Sequence, residues 1–151
     1  MTGGDAPPPE DLLLHPGHLL RRALQAMNLL WSEEVSRTIT SPQFATLNAL
    51  YAEPDIDQRT LAERVSLDRS TAADLVARLA ARGLVCWHRD ARDGRRKTIR
   101  LTPRGVRTLR ELIPRTHRMT ARLVSGLAPP ERAELLRLLS IVVRTNERVV
   151  F

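Results

Sequence analysis

Residues 61–85, LAERVSLDRSTAADLVARLAARGLV, and 89–105, RDARDGRRKTIRLTPRG, decide how this chain folds. In the first stretch, apolar residues fall where two short, steeply crossing helices must touch: Leu61, Val65, Leu67, Ala72 and Leu75, with the small Ala62 at the closest approach. Asp57 caps the first helix, which runs through Val65; the second begins after Asp68 and ends at Gly83, well placed just beyond a helix terminus. Ser66 sits in the tight turn between them, where glycine is common. The second helix has two faces. Ala72, Leu75, Val76 and Leu79 point inward, while Arg69, Ser70, Ala73, Asp74, Ala77 and Arg78 point the other way.

After Gly83 the hydrophobic period changes from helical to alternating. Leu84-Val85-Cys86-Trp87 reads as a strand and Thr98-Ile99-Arg100-Leu101 as its return, joined by a charged turn with the hairpin signal Asp93-Gly94. The tip carries Arg89, Arg92, Arg95, Arg96 and Lys97 against Asp90 and Asp93. A loop lying along a phosphate backbone needs that density of cations, and a solvated turn does not. A narrow minor groove concentrates negative potential and draws in an arginine, which Asp93 is placed to brace. On the second helix, Ser70 and Thr71 lie near the N-terminus, the part of a recognition helix that meets base edges, and the dipole there also favours phosphate. Asp74 either accepts a hydrogen bond from cytosine N4 or pairs with Arg78 four residues on, the plainer alternative.

Working outward, Pro16 opens a long helical stretch, HLLRRALQAMNLLWSEEVSRT, with Leu19, Leu20, Ala23, Ala26, Met27, Leu30 and Val35 at helical spacing. Ser41 and Pro42 read as cap and first residue of the next helix, which carries Phe44, Leu47, Leu50 and Tyr51 and stops before Pro54. Thr102-Pro103 opens another long helix in which Pro114 predicts a kink near Arg110 and Gly126 marks the end. Pro129-Pro130-Glu131 starts the last helix, where Leu135, Leu136, Leu138, Leu139, Ile141, Val142 and Val143 cover almost every face. Such all-round apolarity argues for burial from two sides, hence a helical homodimer interface built from both termini.

Composition agrees. Lys+Arg is 24 against Asp+Glu 17, a net charge of +7, which favours a polyanionic partner over a neutral one. Lys97 is the only lysine. Arginine forks match phosphates and guanine edges in two-pronged fashion, as a lysine does not. Few aromatics argue against a stacking platform for single strands. The single Cys86 allows no intrachain disulfide and fits a cytoplasmic setting. The opening MTGGDAPPPED is acidic and Pro-rich, unlike a signal peptide, and no apolar run has the ~20 residues of a membrane span.

Taken together, the chain resembles the MarR family, the multiple-antibiotic-resistance regulators, through LAERVSLDRSTAADLVARLAARGLV and then RDARDGRRKTIRLTPRG, over roughly residues 16–147. The expected fold is mainly α with a small β-hairpin wing, a winged helix-turn-helix in an intertwined helical dimer. Residues 1–14 would be a flexible arm, 15–40 and 103–151 dimerisation helices, and 41–102 the DNA-binding part. The resemblance implies a triangular dimer on double-stranded DNA, with Arg95 in the minor groove and Asp93 as its partner. Ala72-Ala73-Asp74 departs from the family's common Val-Thr-Arg, which leaves the half-site sequence open.

The opening LLLHPGHLLRRAL is similar to a subset of the family that senses aromatic carboxylates. His15, His18 and Arg22 fall on one face of the first helix, where Arg22 can pair with a carboxylate and a histidine can hydrogen-bond a ring substituent. Trp31 and Tyr51 are candidate pocket walls, or else core and dimer contacts. Two other sensors stay open within the same fold: zinc on His15 and His18 with His88 or His117, and oxidation of Cys86. No cofactor is implied. A small basic hydrolase is the distant alternative; Glu33-Glu34, the nearest approach to an acid–base pair, point to different faces, and no Gly-rich phosphate loop, HExxH or GxSxG is present.

The wing reading predicts that Arg95→Ala weakens binding to duplex DNA severalfold or more in a fluorescence-anisotropy titration while sedimentation still reports a dimer; undiminished affinity would remove the wing from the interface.

Overall fold

The computed structural model describes residues 13–89, 94 and 97–150, with side chains through Asn146. Of the arm expected over 1–14, only Leu13 and Leu14 are among them. The described chain is mostly helical, with one two-stranded antiparallel hairpin.

Local capping chemistry sets most helix starts. In α1 (Pro16–Leu30) the His15 ring accepts the Gly17 N–H at 3.2 Å, and Pro16 takes the first position, whose N–H has no intrahelical partner. The long first helix expected through Thr38 stops being α-helical at Leu30, and Trp31–Val35 form a single π-helical turn. A competing local turn ends it: the Ser36 hydroxyl accepts the N–H groups of Thr38 and Ile39 at 3.1 and 2.9 Å. Helix α2 (Ser41–Ala52) is capped by Thr40, one residue earlier than expected, because Gln43 completes a reciprocal capping box with Thr40 and with no other residue.

The helix-turn-helix forms as the spacing predicts. Asp57 caps α3 (Gln58–Arg64) and Asp68 caps α4 (Arg69–Ala81). Ser66, between them, takes a left-handed φ of 54°, a conformation that costs a non-glycine residue about 1–2 kcal/mol. Gly83, at φ 68°, closes α4. Strands β1 (Val85–Arg89) and β2 (Lys97–Leu101) pair in register from Val85–Leu101 to Arg89–Lys97, so the hairpin reaches further toward its tip than the apolar alternation indicates. Leu84 is not in the strand; its carbonyl accepts the Thr102 N–H at 3.0 Å. On its other side β2 is joined by Ile56, whose carbonyl accepts the Ile99 N–H at 2.8 Å. That bond ties the α2–α3 connection to the wing.

Helix α5 (Pro103–Leu123) runs as one helix past Pro114. It ends before Gly126, in tight turns where Ser125 donates to Arg122 and Leu127 to Val124. Helix α6 (Pro129–Val150) follows. The core lies between α2, α3, α4, the hairpin and α5, centred on Leu47, Leu50, Leu61, Val76, Leu79, Ile99 and Leu109. The termini differ: α1 buries no residue, and Leu19, Leu20, Leu24, Leu136, Ile141 and Val143 are exposed in the single chain. That is more contiguous apolar surface than a monomer ordinarily leaves open.

Among the described glycines, Gly105 makes the closest approach to its surroundings. A Cβ there would fall on the Leu84 backbone carbonyl oxygen, which cannot move without breaking the hairpin's base. Gly105→Ala is therefore expected to destabilise the chain by about 1–3 kcal/mol, the range of overpacked core sites, read as a lowered urea midpoint at unchanged m-value.

Candidate nucleic-acid interface and effector cavity

Burial of one face of α4 decides what its other face presents. Ala72, Leu75, Val76 and Leu79 are buried as the pattern predicts. Arg69, Ser70, Thr71, Asp74, Ala77 and Arg78 are exposed, and Ala73 is half-buried. Asp74 and Arg78 do not form the ion pair that their spacing allows; neither side chain has a hydrogen bond or salt bridge among the described residues. Thr71, Asp74 and Arg78 instead line one side of a shallow groove whose other wall is Thr40, Pro42 and Gln43 at the start of α2.

The N-terminus of α4 differs from the phosphate site expected there. The Asp68 carboxylate occupies it, accepting the Thr71 N–H at 2.8 Å, the Ser70 hydroxyl at 2.6 Å and the Thr71 hydroxyl at 2.5 Å. Those donors hold the Asp68 carboxyl well below the usual carboxylate range, the Ser70 hydroxyl foremost and then the Thr71 hydroxyl and N–H. An ionised carboxylate at this end repels phosphate and satisfies the N–H that would have bound it.

Of the wing residues, Lys97 is exposed at the start of β2, opposite Arg89 in the register. Arg92, Asp93, Arg95 and Arg96 lie outside the described residues.

A second feature opens behind the helix-turn-helix. A cavity of about 940 Å³ is bounded by Trp31, by Phe44, Asn48 and Ala52 of α2, by Arg64 at the end of α3 and Ser66 in the turn after it, and by Thr116, Met119 and Thr120 of α5. Trp31 is its fixed wall: the ring is buried, the indole N–H donates to the Ile39 carbonyl at 2.7 Å, and the Phe44 ring lies 5.5 Å away at a 59° tilt. The floor is open because α2 places Ala45, Ala49 and Ala52 on this side. Arg64 is held by Glu53 at 3.0 Å, whereas the Asn48 amide has no partner among the described residues. The lining is about half apolar, led by Trp31, Phe44 and Met119, and half polar, with Asn48, Glu53, Arg64 and Thr116 among its hydrogen-bonding groups.

Of the residues that the sequence nominates for a ligand, Trp31 lines this cavity and the others do not. Tyr51 is half-exposed over a smaller groove with Pro54, Asp55 and Arg100. His15 caps α1, and the His18 ring meets Arg21 at 3.3 Å. Arg22 is exposed and has no partner among the described residues. Cys86 is half-buried, with its sulfur 3.4 Å from His88 Nε2. Among the described residues no three His, Cys, Asp or Glu side chains gather as a metal site, and no helix is long and apolar enough to cross a membrane. Sequence reasoning missed Asn48, Arg64, Met119 and Thr120, which come from three separate helices. The alanine spacing of α2 is the one local signal that a space opens there.

Three crossed helices, a paired wing and an outward polar helix face define a winged helix-turn-helix transcription regulator. The chain belongs to the MarR family, whose sequence profile matches residues 37–96. It is similar to the PcaV transcriptional regulator of Streptomyces coelicolor, solved in complex with its natural ligand: 49% identity, 95% of this chain and 98% of that chain covered, TM-score 0.84. BpsR of Bordetella bronchiseptica, whose DNA binding is regulated by 6-hydroxynicotinic acid, is 29% identical over 86% of this chain and 94% of its own, with a TM-score of 0.82. The HTH-type transcriptional repressor NicR of Pseudomonas putida is 31% identical over 92% of this chain and 89% of its own. These relatives are regulators, so the hydrolase alternative falls.

Trp31→Phe keeps an aromatic wall but leaves the Ile39 carbonyl unpaired in a buried place. It is expected to cost about 1–3 kcal/mol in urea unfolding, the penalty of an unsatisfied buried acceptor.

Proposed function

We propose that this chain is a homodimeric repressor that grips a near-palindromic operator and releases it when a small aromatic acid fills the cavity between α2, the α3–α4 turn and α5. The observation that carries this reading is the position of that cavity. One wall, Arg64 to Ser66, belongs to the DNA-reading unit, and the opposite wall, Thr116 to Thr120, to the helix that leads into the terminal ones. A ligand wedged between them changes the distance between recognition helices only in proportion to its preference for one arrangement over the other.

On DNA, α4 enters the major groove with Arg69, Ser70, Thr71, Asp74 and Arg78 toward base edges and backbone, and its symmetry mate enters the next groove about one helical turn away. The wing, with Arg92, Asp93, Arg95, Arg96 and Lys97, reaches the flanking minor groove. The exposed apolar faces of α1 and α6 support the dimer, since a second copy is the partner that buries both at once. An aromatic effector is supported by the Trp31–Phe44 wall and by the likeness to BpsR, whose DNA binding is regulated by 6-hydroxynicotinic acid, and to PcaV, solved with its natural ligand. In this arrangement α1 of a second protomer brings His15, His18 and the uncommitted Arg22 to the cavity, while Tyr51 stays outside it. The carboxylate pairs with Arg22 because Arg64 is already engaged by Glu53.

The test is retention of a selected DNA duplex at rising salt, with and without a panel of benzoates, hydroxybenzoates and pyridine carboxylates, with stoichiometry from sedimentation. Two chains per duplex, a steep salt slope and release by one class of acid are expected; indifference to duplex DNA at low salt sinks the reading. Arg22→Ala is expected to retain DNA affinity and lose release by the acid, and an unchanged response would place the carboxylate elsewhere.

A further inference from the structure

The hydroxyls of Ser70 and Thr71 stand exposed at the start of α4, and each has a single proton. Both protons are committed. Ser70 Oγ lies 2.6 Å from one oxygen of Asp68 and Thr71 Oγ1 lies 2.5 Å from the other, and an ionised carboxylate can only accept. What each hydroxyl turns outward is therefore lone pairs. The exposed Asp74 carboxylate, one turn along and free of any partner among the described residues, adds further acceptors. Ser70, Thr71 and Asp74 thus form an acceptor patch on the recognition face, flanked by two exposed donors, Arg69 before it and Arg78 a turn beyond it.

Resting on the DNA-contact reading above, we propose that Asp68 is a positioning residue for sequence recognition: by holding the Ser70 and Thr71 hydroxyls as acceptors it makes α4 read exocyclic amino groups. In the major groove the only such donors are cytosine N4 and adenine N6; guanine O6 and N7 and thymine O4 offer acceptors and are refused. Asp68 itself touches no base. It acts by fixing the direction of two hydroxyl protons, and its own charge keeps phosphate away from the helix end, so the hydroxyls face bases and not backbone.

Asp68→Asn isolates this role. Asparagine is as good a helix cap as aspartate, and its oxygen can still accept the Thr71 N–H and the Ser70 hydroxyl. Its NH₂ must then occupy the position of the second carboxylate oxygen and donate to Thr71 Oγ1, which turns the Thr71 proton outward. The capped helix stays the same while one reading group changes from acceptor to donor.

The experiment is selection of wild type and D68N from a randomised duplex library, followed by affinity titration of the enriched duplexes. Wild type is expected to enrich cytosine or adenine amines under Ser70, Thr71 and Asp74. D68N is expected to exchange the preference at the Thr71 position for guanine or thymine, by about tenfold, and to keep the others. An unchanged preference in D68N, or an equal gain or loss on all sequences, overturns the proposal. A second measurement needs no variant: replacing the contacted adenine by purine, or cytosine by 2-pyrimidinone, removes only the amine. Wild-type affinity is expected to fall about tenfold, and equal affinity overturns the proposal. If wild type enriches no sequence at all, the DNA-contact reading itself fails, an outcome distinct from either result.

Discussion

Burial of Ala72, Leu75, Val76 and Leu79 against α3 and the hairpin governs everything that α4 can present. Each residue of a helix turns about 100° from the last, so fixing one stripe in the core fixes every other side chain. Helix α3 has only seven residues, too few to stand alone in water, and it persists because Leu61 and Ala62 lie beneath α4. The left-handed backbone of Ser66 is the cost of the steep crossing, and the packing on both sides offsets it. Behind α4, Ile99 pairs across the hairpin with Trp87 and on its other edge with Ile56, so the wing is set by the same core that sets the helix.

That shared core extends to the cavity. Val65 and Ser66 belong to the crossing and also to the cavity wall, while Met119 is core on one side and wall on the other. The π-turn that carries Trp31 is pinned to α5 at two places. Arg115 donates to the Val35 carbonyl at 3.3 Å, and Arg122 reaches Glu33 and Glu34 at 3.2 and 2.6 Å. The second pair is solvent-exposed and adds little stability by itself. Its effect is geometric: together with Arg115 it holds the π-turn that carries Trp31 against α5.

Legibility in the sequence followed locality. Asp57, Asp68, Thr102 and Gly83 act on backbone groups two or three residues away, and the positions they predict are those found. Leu61 and Val76 lie on two short helices whose buried pattern follows the apolar spacing. Errors arose where two local rules competed. Ser41 and Thr40 are both good caps, and Gln43 decides between them; Ser36 overrides the helical run before it by taking two backbone donors. The cavity was least legible. It is a space, made by what Ala45, Ala49 and Ala52 lack, and walled by residues up to 89 positions apart in sequence, Trp31 to Thr120. The Asp74–Arg78 pair that the sequence favours does not form, because two exposed charges gain too little from pairing in water to be held together.

The distribution of charge separates affinity from discrimination. Along the start and outer face of α4, Arg69 and Arg78 are balanced by Asp68 and Asp74, two against two, so this helix brings no net attraction to a polyanion. The net charge of +7 has to act from elsewhere, and the hairpin tip, with Arg92, Arg95, Arg96 and Lys97 crowded into six residues, is its densest concentration. Phosphate attraction is blind to sequence and falls steeply with salt, whereas base-edge hydrogen bonds distinguish sequences and are screened little. On the proposed DNA reading, a helix of zero net charge beside a cationic wing divides the work: the wing would supply most of the salt-dependent grip, and single hydroxyls and carboxylates would tune α4 without altering that grip. Replacing the balanced face by an arginine-rich one would raise affinity for every duplex and turn its preference toward guanine edges.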